Sequence, residues 1–367
     1  MASIIKVDQL SEKTQGSGIT LSHSLKNSSG SEIISPAGTV SNLSKLSLTP
    51  SSAPSLPTQG DMYLDSSDNK FKIYTGSDWK DIIDATPGFL IDFLLVAGGG
   101  SGGGEIGGGG GAGGVLYQEQ IALSKNVNYV ITVGAGGAAT TTNYAIGFDG
   151  NDSVLGEFIA YKGGGGSRYD SDALSNTPYG SGGGSGRASG NVGKGTYGQG
   201  HNGGVGAFIG GGGESGGGGG AGAAAQDVIN ANPTAGGIGV TNKLLNAITH
   251  GQLYNGQYYV GGGGGGGAYQ SGSTGLGGIG GGGNGVNGIH LTSPNATQYL
   301  GGGSGGGGAS TGGRSGAGGS GVIIFKVPDN ITVTFSAGVT STITELYNFK
   351  IYKITQTSTT SETVTFS

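Results

Sequence analysis

The chain of 367 residues contains no cysteine, which excludes both a disulfide framework and a thiolate metal site. Charge is scarce: 17 Lys and Arg against 22 Asp and Glu make up 11% of the residues, with a formal net charge of -5. An average globular domain carries about 25% charged residues. Nucleic-acid backbones are bound by clustered Lys and Arg, so DNA and RNA are excluded as partners. Proline is limited to nine residues. Together with the low net charge, that departs from the composition that keeps chains disordered. The opening MASIIKVDQL lacks a long apolar stretch, and the longest apolar run, 89–97, is interrupted by Asp92. The expectation is a chain without secretory leader or membrane insertion, made in a cytoplasm and released by lysis.

What is present is glycine, 89 residues of it, against an ordinary share of about 7%. Glycine-dense blocks recur at 98–114, 163–166, 180–186, 210–222, 261–267, 277–285, 301–308 and 312–319, without the fixed period of a regular solenoid. One of them, in VGGGGGGGAYQ, gives up seven side chains in a row. Flexible Gly/Ser linkers tolerate any neighbour, whereas these blocks alternate with apolar strand patterns such as FLIDFLLVA, VLYQEQIAL and VNYVITV. The packed state open to bare backbone is the polyglycine II helix, with three residues per turn and no hydrogen bond inside the strand. Its amides must then pair with neighbouring chains. Ordering each residue costs about 1–2 kcal/mol of backbone entropy and a net hydrogen bond returns about 0.5–1.5 kcal/mol, so such blocks need the strands at 89–97, 115–133 and 321–327 as walls.

Composition divides the chain into three. Residues 1–58 are Ser/Thr-rich with thin apolar alternation and read as an attachment or shaft region that buries a core only as an oligomer, or as a disordered arm. Residues 59–88 form a small β-hairpin module, with DMYL and KFKIY flanking the turn cluster SSDN and leading into Trp79. Residues 89–367 carry the glycine blocks, variable inserts and C-terminal strands over 321–367. Helix is nearly absent; NKLLNAITH alone has room for two turns. The expected fold is mostly β with little helix: a glycine-rich polyglycine II helix bundle flanked by β-strands, behind an N-terminal fibrous region.

The succession FLLVAGGGSGGG, GGGGAGGVLYQEQIALSKNVNYVITVGAGG, GFDGNDSVLGEFIAYKGGGGS and GGSGVIIFKVP resembles the glycine-rich domain of bacteriophage tail-fibre and related virion proteins. The alternation of blocks with inserts also resembles the adhesins at the tips of T-even-type long tail fibres. The hairpin at 59–83 is similar to hairpins recurrent in virion proteins. The resemblance implies a polyglycine II sandwich whose distal loops touch a host receptor, here a surface polysaccharide or an outer-membrane protein. It also implies a virion location, other phage tail proteins as partners of the N-terminal region, and a homotrimer, although T-even tip adhesins act as single chains. The strand-rich stretch 115–162 and the long C-terminal strand region depart from the adhesin pattern. A structural virion decoration without receptor binding is the alternative.

Catalytic signatures dissolve against this background, and neither enzymatic activity nor a cofactor is expected. GxSxG at Gly99–Gly103 arises wherever Ser interrupts glycine and lacks a His partner. Gly193–Gly195 lacks the Ser/Thr of a P-loop. GFDGNDSVL, 147–155, approximates one calcium nonapeptide, but a single copy reads as a turn fixed by Asp149, Asn151 and Asp152 before a strand over 153–161. The inserts carry tyrosines among Ser, Asn and Gly, the mixture of rigid rings and adaptable polar groups that binding loops use. Inserts 167–179, 223–259, 268–276 and 286–300 are the candidate recognition tip. Its receptor-binding residues are Tyr169, Tyr179, Tyr254, Tyr258, Tyr259, Tyr269, His290 and Tyr299; the other reading has tyrosines capping the glycine layers.

Overall fold

The computed structural model describes residues 51–57, 59–67, 70–83, 88–173, 178–187, 190–209, 212–229, 232–269, 273–289, 291–309 and 312–367, with backbone alone at 25–26, 32–34 and 81–83. Two compact units divide the chain, Met1–Thr86 and Pro87–Ser367.

In the first unit, Leu25–Lys26 (β1) and Glu32–Ile34 (β2) pair antiparallel. The rest of the shaft expected over 1–58 lies largely outside the described residues. Met62–Leu64 (β3), Phe71–Tyr74 (β4) and Trp79–Ile83 (β5) form a three-stranded meander. Rings hold it: Trp79 meets Tyr63 edge-on at 4.6 Å between centroids and Tyr74 at 5.2 Å. Asp65 fixes the first turn by accepting from the Ser67 hydroxyl and N–H and from the Tyr63 hydroxyl, which hold its carboxyl well below the usual range.

In the second unit the strands are Phe89–Val96 (β6), Val115–Leu123 (β7), Asn128–Thr132 (β8), Ser153–Leu155 (β9) and Phe158–Ala160 (β10). A short helix, Lys243–Ala247 (α1), precedes the hairpin Gln252–Tyr254 (β11) and Gln257–Tyr259 (β12). The chain closes with Val322–Pro328 (β13), Val333–Phe335 (β14), Val339–Leu346 (β15), Phe349–Thr357 (β16) and Thr363–Phe366 (β17). Two five-stranded antiparallel sheets result, in the orders β15-β16-β13-β6-β7 and β10-β9-β8-β17-β14. Among the described residues the chain is therefore mostly β, in antiparallel sheets, with almost no helix.

The first sheet is covered on both faces along its central strands β6 and β13, which explains the unbroken apolar run of β6. Phe89, Ile91, Phe93 and Leu95 join Ile323 and Phe325 in packing against Ile131, Leu155, Val364 and Phe366 of the second sheet. Leu94 and Val96, pointing the other way, join Val322 and Ile324 against Leu244 and Leu245 of α1. Each fully buried Phe, Leu or Ile contributes about 2 kcal/mol relative to exposure. Asp92 is the polar exception. It faces its cross-strand partner Lys326 at 2.5 Å and accepts from the N–H of Gln120, a residue at φ 57 in the bulge where β7 slips against β6. Burial pushes the Asp92 carboxyl up, yet Lys326 and Gln120 together hold it below its ordinary value.

The strand expected over 153–161 is a hairpin instead. Gly156 adopts φ 58 and turns the chain, so β9 and β10 pair with each other. GQLYNGQYY, read as part of an insert, is likewise a hairpin, turned by Asn255 and Gly256 at φ 48 and 77.

The described residues of the glycine blocks belong to no sheet or helix, and their backbone groups bond from block to block. Segment 97–104 leaves β6 and segment 107–114 returns to β7, with Ala97, Gly100 and Gly103 donating to Gly114, Gly111 and Gly108 at 2.9–3.0 Å. The end near Ala97 and Gly114 is the sheet end; the turn at Glu105 and Ile106 is the distal end. Around 107–114 the partners change with a period of three residues. Gly108 and Gly111 donate to Ser167 and Gly164; Gly109 and Ala112 to Gly216 and Gly219; Gly110 and Gly113 to Ser304 and Gly301. Acceptors repeat the pattern: Gly107 and Gly110 accept from Gly267 and Gly264, Gly108 and Gly111 from Gly103 and Gly100, Gly109 and Ala112 from Gly184 and Ser181. Six segments thus surround the strand, three receiving its hydrogens and three supplying theirs.

The seven glycines at 261–267 sit in the same way. Residues 262–267 donate by threes to 107–110, 280–283 and 234–237 and accept by threes from 215–218, 303–306 and 275–278, while Gly261 donates to Leu300 and accepts from Ala221. An added Cβ at Gly264 would stand 1.9 Å from the Ser304 carbonyl oxygen. Backbone occupies the space that side chains fill elsewhere.

Candidate functional site

The distal end is where the segments turn around and where side chains return. The first turn places Glu105 and Ile106 at φ 46 and 51, the left-handed region that L residues with side chains rarely adopt. Their N–H groups donate to Gly313 and Gly308, and Ile106 is buried. Beside this turn Arg187 leaves the 180–186 block and lies over Tyr169, its guanidinium carbon 3.9 Å from the ring centroid. The same guanidinium is 5.1 Å from Phe208 and 5.8 Å from Tyr269, and it donates to the Tyr169 hydroxyl. Gly213 must be glycine for this to happen, since a Cβ there would overlap the Arg187 chain. Arg168 pairs with Asp170 at 3.1 Å. Burial pushes the Glu105 carboxyl up, while Arg187 opposes that shift.

Of the residues singled out from sequence, the structure brings Tyr169 and Tyr269 together here, through Arg187. Tyr254, Tyr258 and Tyr259 stand elsewhere, on the β11–β12 hairpin that packs with α1 against the first sheet; Tyr258 touches that core and Tyr254 meets Tyr259 edge-on. Tyr299 also lies at the sheet end, its carbonyl 2.9 Å from His250 Nε2 and its N–H on Ser320 Oγ. Insert 223–259 is therefore no single tip loop. Tyr179 corrects the expectation outright: it is 2% exposed, packed against Gly164 with Lys162 over its ring, and offers no surface to a receptor. His290 lies outside the described residues.

Sequence reasoning missed Arg187, Phe208 and Glu105. The signal was present, since GEIG and GRASG place a lone charge inside glycine in a chain poor in charge. It also passed over the serines of the blocks. Ser304 Oγ donates to Gly316 and accepts from Gly102, and Ser293 Oγ donates to Gly305 and accepts from Gly316. Ser101, the centre of the GxSxG match, is fully buried and accepts the Phe148 N–H, a structural hydroxyl. In GFDGNDSVL, Asp149 pairs with Lys162 at 3.0 Å and accepts from Gly165, and Asp152 accepts from Lys162 N–H. These contacts tie the turn to the next glycine block.

A family model described as a glycine-rich domain matches residues 84–328, from the approach to β6 to the end of β13. The chain belongs to that glycine-rich domain family. No curated protein matches the chain.

Proposed function

We propose that the chain is a phage tail-fibre adhesin that binds a host cell-surface receptor through distal loops on a polyglycine II scaffold. The three-residue bonding period of 107–114 and 261–267 supports the scaffold, because a helix with three residues per turn presents every third amide to the same neighbour. The observation that carries the function is what stands at the distal end of that scaffold. Backbone bonded on six sides ends in loops with exposed rings, Tyr144 at 55%, Phe208 at 60% and Tyr269 at 38%. Binding residues concentrate on loops held by a rigid frame, and rigid rings bind with little entropy loss. Binding is reversible and involves no chemistry; residues 1–58 join other tail proteins and hold a homotrimer.

The test uses the full chain, fluorescently labelled, on a panel of bacterial strains, together with phage that adsorb to the strains it binds. Saturable binding to particular strains, with loss of phage adsorption on those strains, is the expected result. A chain that binds no strain while incorporating into virions contradicts the reading and leaves a structural decoration.

A further inference from the structure

Among the described residues, the side-chain atoms buried at the distal end without a hydrogen-bond partner include Oε2 of Glu105 and Nε of Arg187. One accepts and the other donates. A buried polar atom left unpaired costs about 1–3 kcal/mol, and native structures complete such groups with protein, water or ligand. The backbone carries a second, independent sign at the same place. Glu105 and Ile106 both hold positive φ in a two-residue turn where Asn-Gly would sit freely. Non-glycine residues in that region cost about 1–3 kcal/mol each, and such strain gathers at functional sites. The buried Ile106 side chain and the bonds to Gly313 and Gly308 maintain it, and it sets the Glu105 carboxyl into the cluster.

We propose that this cluster, Glu105 and Arg187 with Phe208 and Tyr269, binds a neutral sugar unit of a host surface polysaccharide; the inference rests on the adhesin reading above. A hydroxyl can donate to a carboxylate or accept from a guanidinium, so one kind of group serves either atom. Charge argues against ionic ligands, since the acidic Glu105 and Asp170 are matched by the basic Arg168 and Arg187. The partly exposed rings of Phe208 and Tyr269, beside the guanidinium that lies over them, suit the C–H surface of a pyranose, and a few polar groups fix its orientation.

The full chain is bound to cells of a strain it recognises, after periodate treatment, which cleaves vicinal diols of sugars, or after protease treatment. Parent chain is compared with Phe208→Ala, Tyr269→Ala and the near-isosteric Glu105→Gln, each verified by thermal midpoint. The inference predicts at least tenfold loss of binding after periodate, none after protease, a tenfold or greater loss for Phe208→Ala, and several-fold losses for Tyr269→Ala and Glu105→Gln. Binding that survives periodate and is lost to protease overturns the sugar while leaving the adhesin standing. Folded variants that bind as the parent does overturn the site, with water completing the two buried atoms. Failure to bind every strain overturns both readings together.

Discussion

At Gly264 and Gly110 an added Cβ would stand 1.9 and 2.2 Å from the carbonyl oxygens of Ser304 and Gly100, whereas at Gly190 nothing lies within 4 Å. Overpacking of this kind costs about 3 kcal/mol or more where backbone is the obstacle. Gly264→Ala should therefore lower the denaturant midpoint strongly, while Gly190→Ala should change stability by less than about 0.5 kcal/mol. Equal effects at the two sites would mean that the blocks are not close-packed. Ser304 makes the complementary point, because its hydroxyl both donates and accepts inside the array. Ser304→Ala orphans the Gly316 carbonyl and the Gly102 N–H and should cost about 2 kcal/mol by the same denaturation measurement. Acid sensitivity is a residue-scale property too. Glu362 accepts from the hydroxyls of Ser336, Ser358 and Thr359 and from the Gly338 N–H, contacts that hold its carboxyl below the ordinary range. A depressed carboxyl stabilises the fold fully above its unfolded value of about 4.3 and loses that contribution as pH falls through the lower folded value. Glu362→Gln should flatten the acid limb of a stability-against-pH curve below about pH 4.5; an unchanged limb would remove Glu362 from the cause.

Helix α1 shows how an element of five residues becomes structural. Asn242 caps it by accepting from the Leu245 N–H, and Leu244 and Leu245 enter the core on the outer face of the first sheet. Leu245→Ala should cost about 3 kcal/mol, read from thermal unfolding. A loss below about 1 kcal/mol would mean that the helix only rests on the sheet. Strands were the legible elements. VIIFKV, NFKIYKITQ and FLIDFLLV carry apolar residues because a wall rises on one or both sides of them, and burial leaves a mark in composition. ITVTFSAGVTSTIT resolves into β14 and β15 around the turn at Ser336–Gly338. The packing of the glycine blocks was not legible in the same way. Every position in a run of glycine looks alike, so a three-residue bonding period leaves no trace in residue type. Only the interrupting serines and the Glu105–Ile106 pair mark register.

On the scale of the whole second unit, the glycine segments run between a sheet end and a distal end, and their inserts divide accordingly. Tyr254, Tyr258, Tyr259 and Tyr299 serve the sheet end, while Tyr169 and Tyr269 meet Arg187 at the other. Tyrosine content alone does not distinguish these places, because sequence position says nothing of which end an insert closes. Arg187 was the better marker, as a charge surrounded by residues with none. The proposed assembly adds a prediction for the full chain: sedimentation should give three chains per particle, and removal of residues 1–58 should release single chains if the trimer is held there. A full chain sedimenting as a monomer contradicts that assembly and fits a single-chain tip. The central claim, that bare backbone is the packing material of the scaffold, is tested most directly by site-resolved hydrogen exchange of the amides at 107–114 and 261–267. Protection there as strong as in β6 and β13 is the result this account predicts; exchange at the rate of an unfolded peptide would contradict it.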